Sequence, residues 1–394
     1  MAMTKGLQLL SEAKDLDASV IEIRRAIHAH PELGLDLPVT QKLILDRLDA
    51  LGVPATRGAT ISSVVGHIAG TQPGPTTLLR ADMDALALVE ETGLPFASAV
   101  QGVMHACGHD AHVAMLLGAA ELLMAHRHEL RGSVILAFQP GEEGAGGARR
   151  MLEEGLMQPS PDRSYALHVI TNIPSGLIAT RGGPMMASAD EFLITLTGRG
   201  GHASAPHEAR DPIPVAAELV LALQVALTRS VNVFDPAVLT VGQIEAGTTF
   251  NIIPEVATIR GTFRALSEET RVKVSDLVNR VAGGIAKAHG AEVDVSFPME
   301  SYPVTVNDPK GAGRALQLAR LLVGPDAVQE MVTPVMGAED FSYLLQVSPG
   351  AMIFLGVAPP GVDDPAPNHS NRMLVDEAAL HRGVALYTLL ALDD

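Results

Sequence analysis

Between residues 184 and 298 the apolar pattern runs strand, helix, strand, strand, helix, strand, and this block interrupts a longer alternation of single strands with helices. Few folds accept such an interruption. Period-2 alternation over 191–197, 238–244, 256–263 and 292–297, with helical periods over 212–227 and 267–289, reads as a ferredoxin-like α+β unit of the size of an inserted domain. Outside it, expected strands at 64–69, 77–80, 133–138, 165–169 and 351–356 are separated by helical stretches at 111–125, 146–154, 311–322 and 376–392. That order implies an α/β fold with a mostly parallel sheet between helices. A chain of 394 residues also exceeds the ~250–300 at which one core usually splits. The expectation is a discontinuous domain of residues 1–183 and 299–394 carrying an insertion of 184–298.

The polar residues of the first domain collect where a ligand would. In an open α/β sheet, ligands bind beyond the carboxyl ends of the strands. Strand 77–80 runs into Asp82 and Asp84, strand 133–138 into Glu142-Glu143, strand 165–169 contains His168, and strand 351–356 leads to His369. Cys107 and His109 open the apolar helix 111–125, within Met104-His105-Ala106-Cys107-Gly108-His109-Asp110-Ala111-His112. Thiolate, imidazole and carboxylate are the donors of zinc and related divalent ions. Each residue alone has a plainer use: Cys107 as a small core residue, Glu142-Glu143 as a wet acidic turn, His168 as a core histidine. A carboxylate such as Asp82 or Asp84 behind a metal-bound histidine is a common supporting arrangement.

Composition narrows the partners. A net charge of −17 disfavours nucleic acid and anionic membrane surfaces, which need a basic face. The single cysteine excludes an intrachain disulfide, and the first residues resemble no signal peptide, so a cytoplasmic address is expected. No uncharged apolar run reaches ~18 residues, so no membrane span is expected. With no Trp and 3% aromatic residues, a stacking surface for bases or sugars is disfavoured.

Five ordered segments carry a family resemblance: Arg24-Arg25-x-x-His28-x-His30-Pro31-Glu32-Leu33-Gly34, Leu79-Arg80-Ala81-Asp82-Met83-Asp84-Ala85-Leu86, Met104 to Asp110, Phe138-Gln139-Pro140-x-Glu142-Glu143-Gly144, and Gly337-Ala338-Glu339-Asp340-Phe341. Together they resemble the M20 amidohydrolases, and within them the hippurate hydrolases, N-acyl-amino-acid deacylases and auxin-conjugate hydrolases. The resemblance implies a zinc-peptidase-like catalytic domain with a mixed sheet between helices, the ferredoxin-like insertion serving as dimerisation or lid domain. It also implies two divalent ions (Zn, Mn, Co or Ni) on Cys107, His109, Glu143, His168 and His369, with Glu142 as general base on metal-activated water. Asp84 matches the aspartate that steadies the centre. His202, in Gly198-x-Gly200-Gly201-His202-Ala203-Ser204, matches a histidine that polarises the scissile carbonyl from the other subunit of a dimer. Asn251 and Arg264 match substrate-binding positions. The chain departs from the family's pattern at Ala87, Gly141 and Met373, where Pro, Ala and Phe are common. These departures bear on pocket shape and the choice of acyl group.

The reaction so implied is hydrolysis of an N-acyl-L-amino acid, hippurate-like or N-acetylated, by a homodimer or dimer-based oligomer. The same chemistry on N-acetyl-diaminopimelate, aminobenzoyl-glutamate, an indole-acyl amino acid or a small peptide is the alternative. A cysteine-nucleophile amidase would leave Glu142, Glu143 and His369 without roles. A non-catalytic ligand-binding homologue would be expected to have a broken donor set, and this one is intact.

Overall fold

The computed structural model describes residues 2–298 and 301–393, and its contacts divide the chain into two compact units. The first comprises Met1–Met185, Val306–Thr333 and Asp340–Asp394. Its eight-stranded sheet has at its centre Arg131–Gln139, Gln72–Asp82, Arg163–Ile170 and Gly350–Gly356, in that spatial order. These four are mutually parallel. Their carboxyl ends therefore share one edge of the sheet. Apolar runs such as Val134–Phe138 are buried without alternation, as expected of strands covered on both faces.

Outer strands make the sheet mixed. Ala55–Arg57 pairs with Val64–Ala69, that strand with Arg131–Gln139, and Ile178–Thr180 with Gly350–Gly356, all antiparallel. A short loop between Arg57 and Val64 permits only a hairpin, since a parallel return needs a crossover of a dozen residues or more. Helix His109–Ala125 is apolar on nearly every side and buried almost throughout, the signature of a central core helix. It packs against Asp17–His28 and Leu380–Leu392.

The second unit, Met186–Thr305 with Pro334–Glu339, has a four-stranded sheet in the order Ala237–Ala246, Val256–Ala265, Asp190–Thr197, Glu292–Ser296. All its pairings are antiparallel, and helices Pro212–Ser230 and Glu268–Ala288 complete the ferredoxin-like order. Pro212–Ser230 is long and apolar enough by length and composition to cross a membrane. It carries Glu218 and Arg229, however, and buries Val215, Leu219 and Leu223 in the core of this unit.

The expected return to the first domain at residue 299 abuts 299–300, which lie outside the described residues, and the contacts move the boundary to 305/306. Tyr302 and Ala189 exchange both backbone hydrogen bonds, Arg271 donates to Ser301 Oγ at 2.7 Å, and Val304 N donates to Glu268 Oε1 at 2.8 Å. Residues 334–339 join the second unit too, because Ala187 N donates to Val335 O and Gly337 O.

One polar cluster fastens helix Ala2–Asp15 to the turn after His109–Ala125. Glu129 accepts from Lys5 at 2.6 Å and pairs with His126 Nδ1 at 2.7 Å, while His126 Nε2 pairs with Glu12 at 2.6 Å. The Lys5 and His126 hydrogen bonds hold the Glu129 carboxyl down at about 2. Burial disfavours the charged His126, but its two carboxylate partners outweigh that and raise it above its usual value. Stability from Glu129 is complete above its ordinary pKa of 4.5 and is lost as pH falls towards about 2. Stability from His126 is complete below 6.5 and is lost as pH rises through its elevated value. The melting difference between wild type and Glu129→Gln should therefore peak between about pH 4.5 and 6.5. Partly exposed pairs are worth ~1 kcal/mol or less, so the peak should be only a few degrees; a difference independent of pH would remove this cluster's role.

Candidate metal centre

Beyond the shared strand edge, six side chains of the first unit gather as overlapping groups. Cys107, His109 and His168 form one, Cys107, Glu143 and His369 another, and His109, Glu142 and Glu143 a third, with the donor atoms of each group within 4.8 Å of one another. Cys107 Sγ lies 3.4 Å from His168 Nε2, and His369 Nε2 lies 3.3 Å from Glu143 Oε1. All five expected metal donors and Glu142 are thus brought together.

Local backbone explains how they meet. Gly108 has φ 88° at the start of helix His109–Ala125, and a Cβ there would lie 2.2 Å from Val169 Cγ2. Only glycine lets the Cys107 turn lie against the strand end that carries His168. Gly141, one of the departures from the family's pattern, has φ 72°, and a Cβ on it would meet Leu35 Cδ2 at 2.5 Å. Asp84 then fixes the acidic turn. Its Oδ1 accepts from Glu142 N at 2.9 Å and its Oδ2 from Glu143 N at 3.0 Å. His369 adopts φ 69°, a left-handed conformation costing a non-glycine residue roughly 1–2 kcal/mol.

The donor set suits a divalent ion. His109 is fully buried, yet neither of its ring nitrogens makes a hydrogen bond; the nearest carboxylate oxygens, on Asp82 and Asp84, stand 3.6 Å away. Glu143 Oε1 is likewise buried without a hydrogen bond. Unpaired buried polar atoms are rare in a folded protein and point to a missing partner. His168 Nδ1 donates to Val169 O at 2.8 Å, which leaves Nε2 as the lone-pair nitrogen facing Cys107. Burial, reinforced by His112, holds His168 well below its usual value and hence neutral. Burial works against ionised Glu143, but the His369 imidazole 3.3 Å away and the charge of His109 overcome it and lower its carboxyl. Burial pushes the Cys107 thiol up to about 12, so its ionisation needs a cation at the sulfur.

Residues behind the donors went unassigned in the sequence. His112 stands near His109 and Asp82, but both its nitrogens are spent: Nδ1 on Asp82 Oδ1 at 2.5 Å and Nε2 accepting from Val169 N at 2.8 Å. It braces the strand end and is no free donor. Arg80 donates to Asp82 at 2.6 Å and to Asp340 at 3.0 Å, and Asp340 also accepts from Gln139 and from Ala148 N. Burial alone would raise Asp82, but Arg80 and the two histidines keep it well below the usual carboxylate range. The Gly337 to Phe341 motif contained the Asp340 signal, and the spacing of His112 from His109 places both on one helix face.

The remaining expected residues lie in the second unit. His202 pairs in register with Ile252, its Nδ1 accepts from Ser204 N at 3.1 Å, and Asn251 O accepts from Ala203 N at 3.2 Å. The fold thus joins His202 to Asn251. Arg264 sits apart, near the far end of strand Val256–Ala265, with Nη1 donating to Met336 O at 3.0 Å.

Comparison with known proteins gives this geometry its context. The pattern of Peptidase family M20/M25/M40 matches residues 78–393. The chain is 42% identical over 387 residues to thermostable carboxypeptidase 1 of Saccharolobus solfataricus, covering 98% of this chain and 97% of that one. It is 36% identical over 390 residues to the hippurate hydrolase of Campylobacter jejuni, covering 98% and 99%. The Bacillus subtilis protein YXEP, described as a dinuclear metal binding peptidase from the M20 family, superimposes with a TM-score of 0.82 at 33% identity, over 96% of this chain and 98% of that one. On the family match and on relatives aligned nearly end to end, the chain belongs to peptidase family M20/M25/M40 and is a hydrolase of that family.

Proposed function

We propose that the chain is a two-metal amidohydrolase that splits N-acyl-L-amino acids into a carboxylic acid and an amino acid. The observation that carries this reading is the cluster of Cys107, His109, Glu143, His168 and His369, in which a fully buried histidine has both nitrogens unpaired. Those five residues would hold the ions, and Zn, Mn, Co and Ni all suit such a mixed donor set. When bound, divalent ions acidify water and polarise a carbonyl. Glu142, buried on the turn that Asp84 holds, takes a proton from the attacking water on its carboxylate and returns it to the leaving nitrogen. With Nδ1 of His202 accepting from Ser204 N, the ring proton sits on Nε2, which can donate to the carbonyl oxygen as it gains charge. Arg264, which has guanidinium donors beyond the one given to Met336, offers a fork for the substrate's α-carboxylate. A free carboxylate on the leaving amino acid is common to hippurate and to the carboxyl terminus of a peptide. The testing experiment is a panel of N-benzoyl and N-acetyl amino acids, with their carboxamides, assayed with each added metal. Hydrolysis of the acids and not the carboxamides is expected; absence of metal-dependent hydrolysis across the panel would refute the assignment.

The second unit supports a dimer as the working form. Ala237–Ala246 is an edge strand that exposes Val238 and Ile244, and helix Pro212–Ser230 exposes Leu221 at 69% and Val225 at 62%. Open edges and apolar faces of this kind are normally covered. Asn251 precedes strand Val256–Ala265 whereas Arg264 is its penultimate residue; the eight steps from Val256 to Arg264 span roughly 26 Å. A small substrate touching both would draw them from two copies. Mixing the inactive variants His202→Ala and Glu142→Gln under subunit exchange should restore activity, because a mixed dimer has one site with both residues intact. No recovery after verified exchange would confine His202 to its own chain.

A further inference from the structure

The residue before His369 links segments that nothing local could hold together. Asn368 Nδ2 donates to Cys107 O at 3.1 Å and to Val169 O at 3.0 Å, across separations of 261 and 199 residues. Its Oδ1 accepts from Thr171 N at 3.1 Å and from Thr171 Oγ1 at 3.3 Å. Two carbonyls on one side and an N–H on the other fix which way the amide faces. Both donors and both acceptor positions are then used, so Asn368 has nothing left to offer an ion directly.

What it joins are three stretches of backbone: the turn of Cys107, the strand end of His168, and its own loop, which continues into His369. His369 N donates to Ala106 O at 2.6 Å and closes the same seam from the other side. A histidine at φ 69° persists only where its surroundings over-determine it. Asn368 supplies that constraint immediately before it.

We propose that Asn368 is a positioning residue for the metal centre: its side-chain amide sets the mutual placement of Cys107, His168 and His369, and with it the affinity for divalent ions. The inference rests on the two-metal reading. Asn368→Asp keeps the shape but turns oxygen towards the Cys107 and Val169 carbonyls; Asn368→Ala removes every link. Wild type and both variants are stripped of metal and titrated with Zn²⁺ against a chromophoric chelator, and the metal-free proteins are melted. The expected result is a ~10–100-fold loss of affinity for at least one ion in both variants, the range for residues supporting metal ligands, with cooperative melting of the metal-free proteins retained. Wild-type affinity in either folded variant overturns the role. Loss of folding in both metal-free variants overturns it as well, since Asn368 would then serve the fold and not the centre. A wild-type protein that fails to bind two ions refutes the two-metal reading instead.

Discussion

Glu142→Gln should retain its full complement of metal and lose at least ~10²-fold in kcat, the lower range for general acid/base catalysis. Glutamine matches glutamate in size and keeps the backbone N–H that Asp84 holds, so the turn survives and only the proton acceptor is lost. Glu143→Gln should behave differently. Its Oε1 faces His369 at 3.3 Å and His109 at 4.0 Å, so replacing the charged oxygen by an amide weakens the ion-binding groups themselves. Metal per chain after gel filtration, read beside kcat for both variants, separates the two roles. Metal loss in Glu142→Gln with retention in Glu143→Gln would exchange them.

Cys107→Ser should lose metal sharply, and activity with it. The substitution is nearly isosteric in a buried position, so the fold should tolerate it, but a hydroxyl is a much poorer ligand than a thiolate for a borderline-soft ion. Cys107 belongs to two of the donor groups, so both halves of the centre should suffer. The check is metal content by mass spectrometry of the metal, with kcat measured before and after adding Zn²⁺ or Mn²⁺. Full activity in a metal-free preparation would end the metal reading altogether.

The elements legible in the sequence are those with strong periodicity. The four central strands are continuous apolar runs ending in polar residues, and their parallel order follows from the intervening helices, so the edge where Asp82, Glu142 and His168 collect could be anticipated. Ala55–Arg57, Ile178–Thr180 and Val328–Glu330 have three residues each, too few to show a period, and the antiparallel pairing of the expected strand Val64–Ala69 with Arg131–Gln139 depends on a partner that a strand's own pattern does not name. The unit boundary was hidden for another reason. It depends on individual links such as Arg271 to Asp190 and Ser301, which no hydropathy pattern encodes. The candidate donors stood out because cysteine, histidine and glutamate advertise their chemistry. Asn368 did not, since its partners are chiefly the backbone of Cys107, Val169 and Thr171, and backbone partners leave no trace in a sequence; His112 stood in the quoted segment, but its bracing of Asp82 and Val169 exists only in the folded chain.

The order of the central strands also governs how the chain must be made. Gly350–Gly356 pairs with Arg163–Ile170, so during synthesis that strand waits with one side unpaired until the chain has emerged past residue 356. The second unit, nearly all of it contiguous from Met186 to Thr305, has its four strands and two helices available well before then, and domains generally fold as units while synthesis proceeds. A folded insertion thus hangs from an incomplete sheet whose exposed strand edge is open to pairing with another nascent chain. Slow translation or a stall between residues 305 and 350 should prolong that exposure and so favour aggregation of the nascent chain.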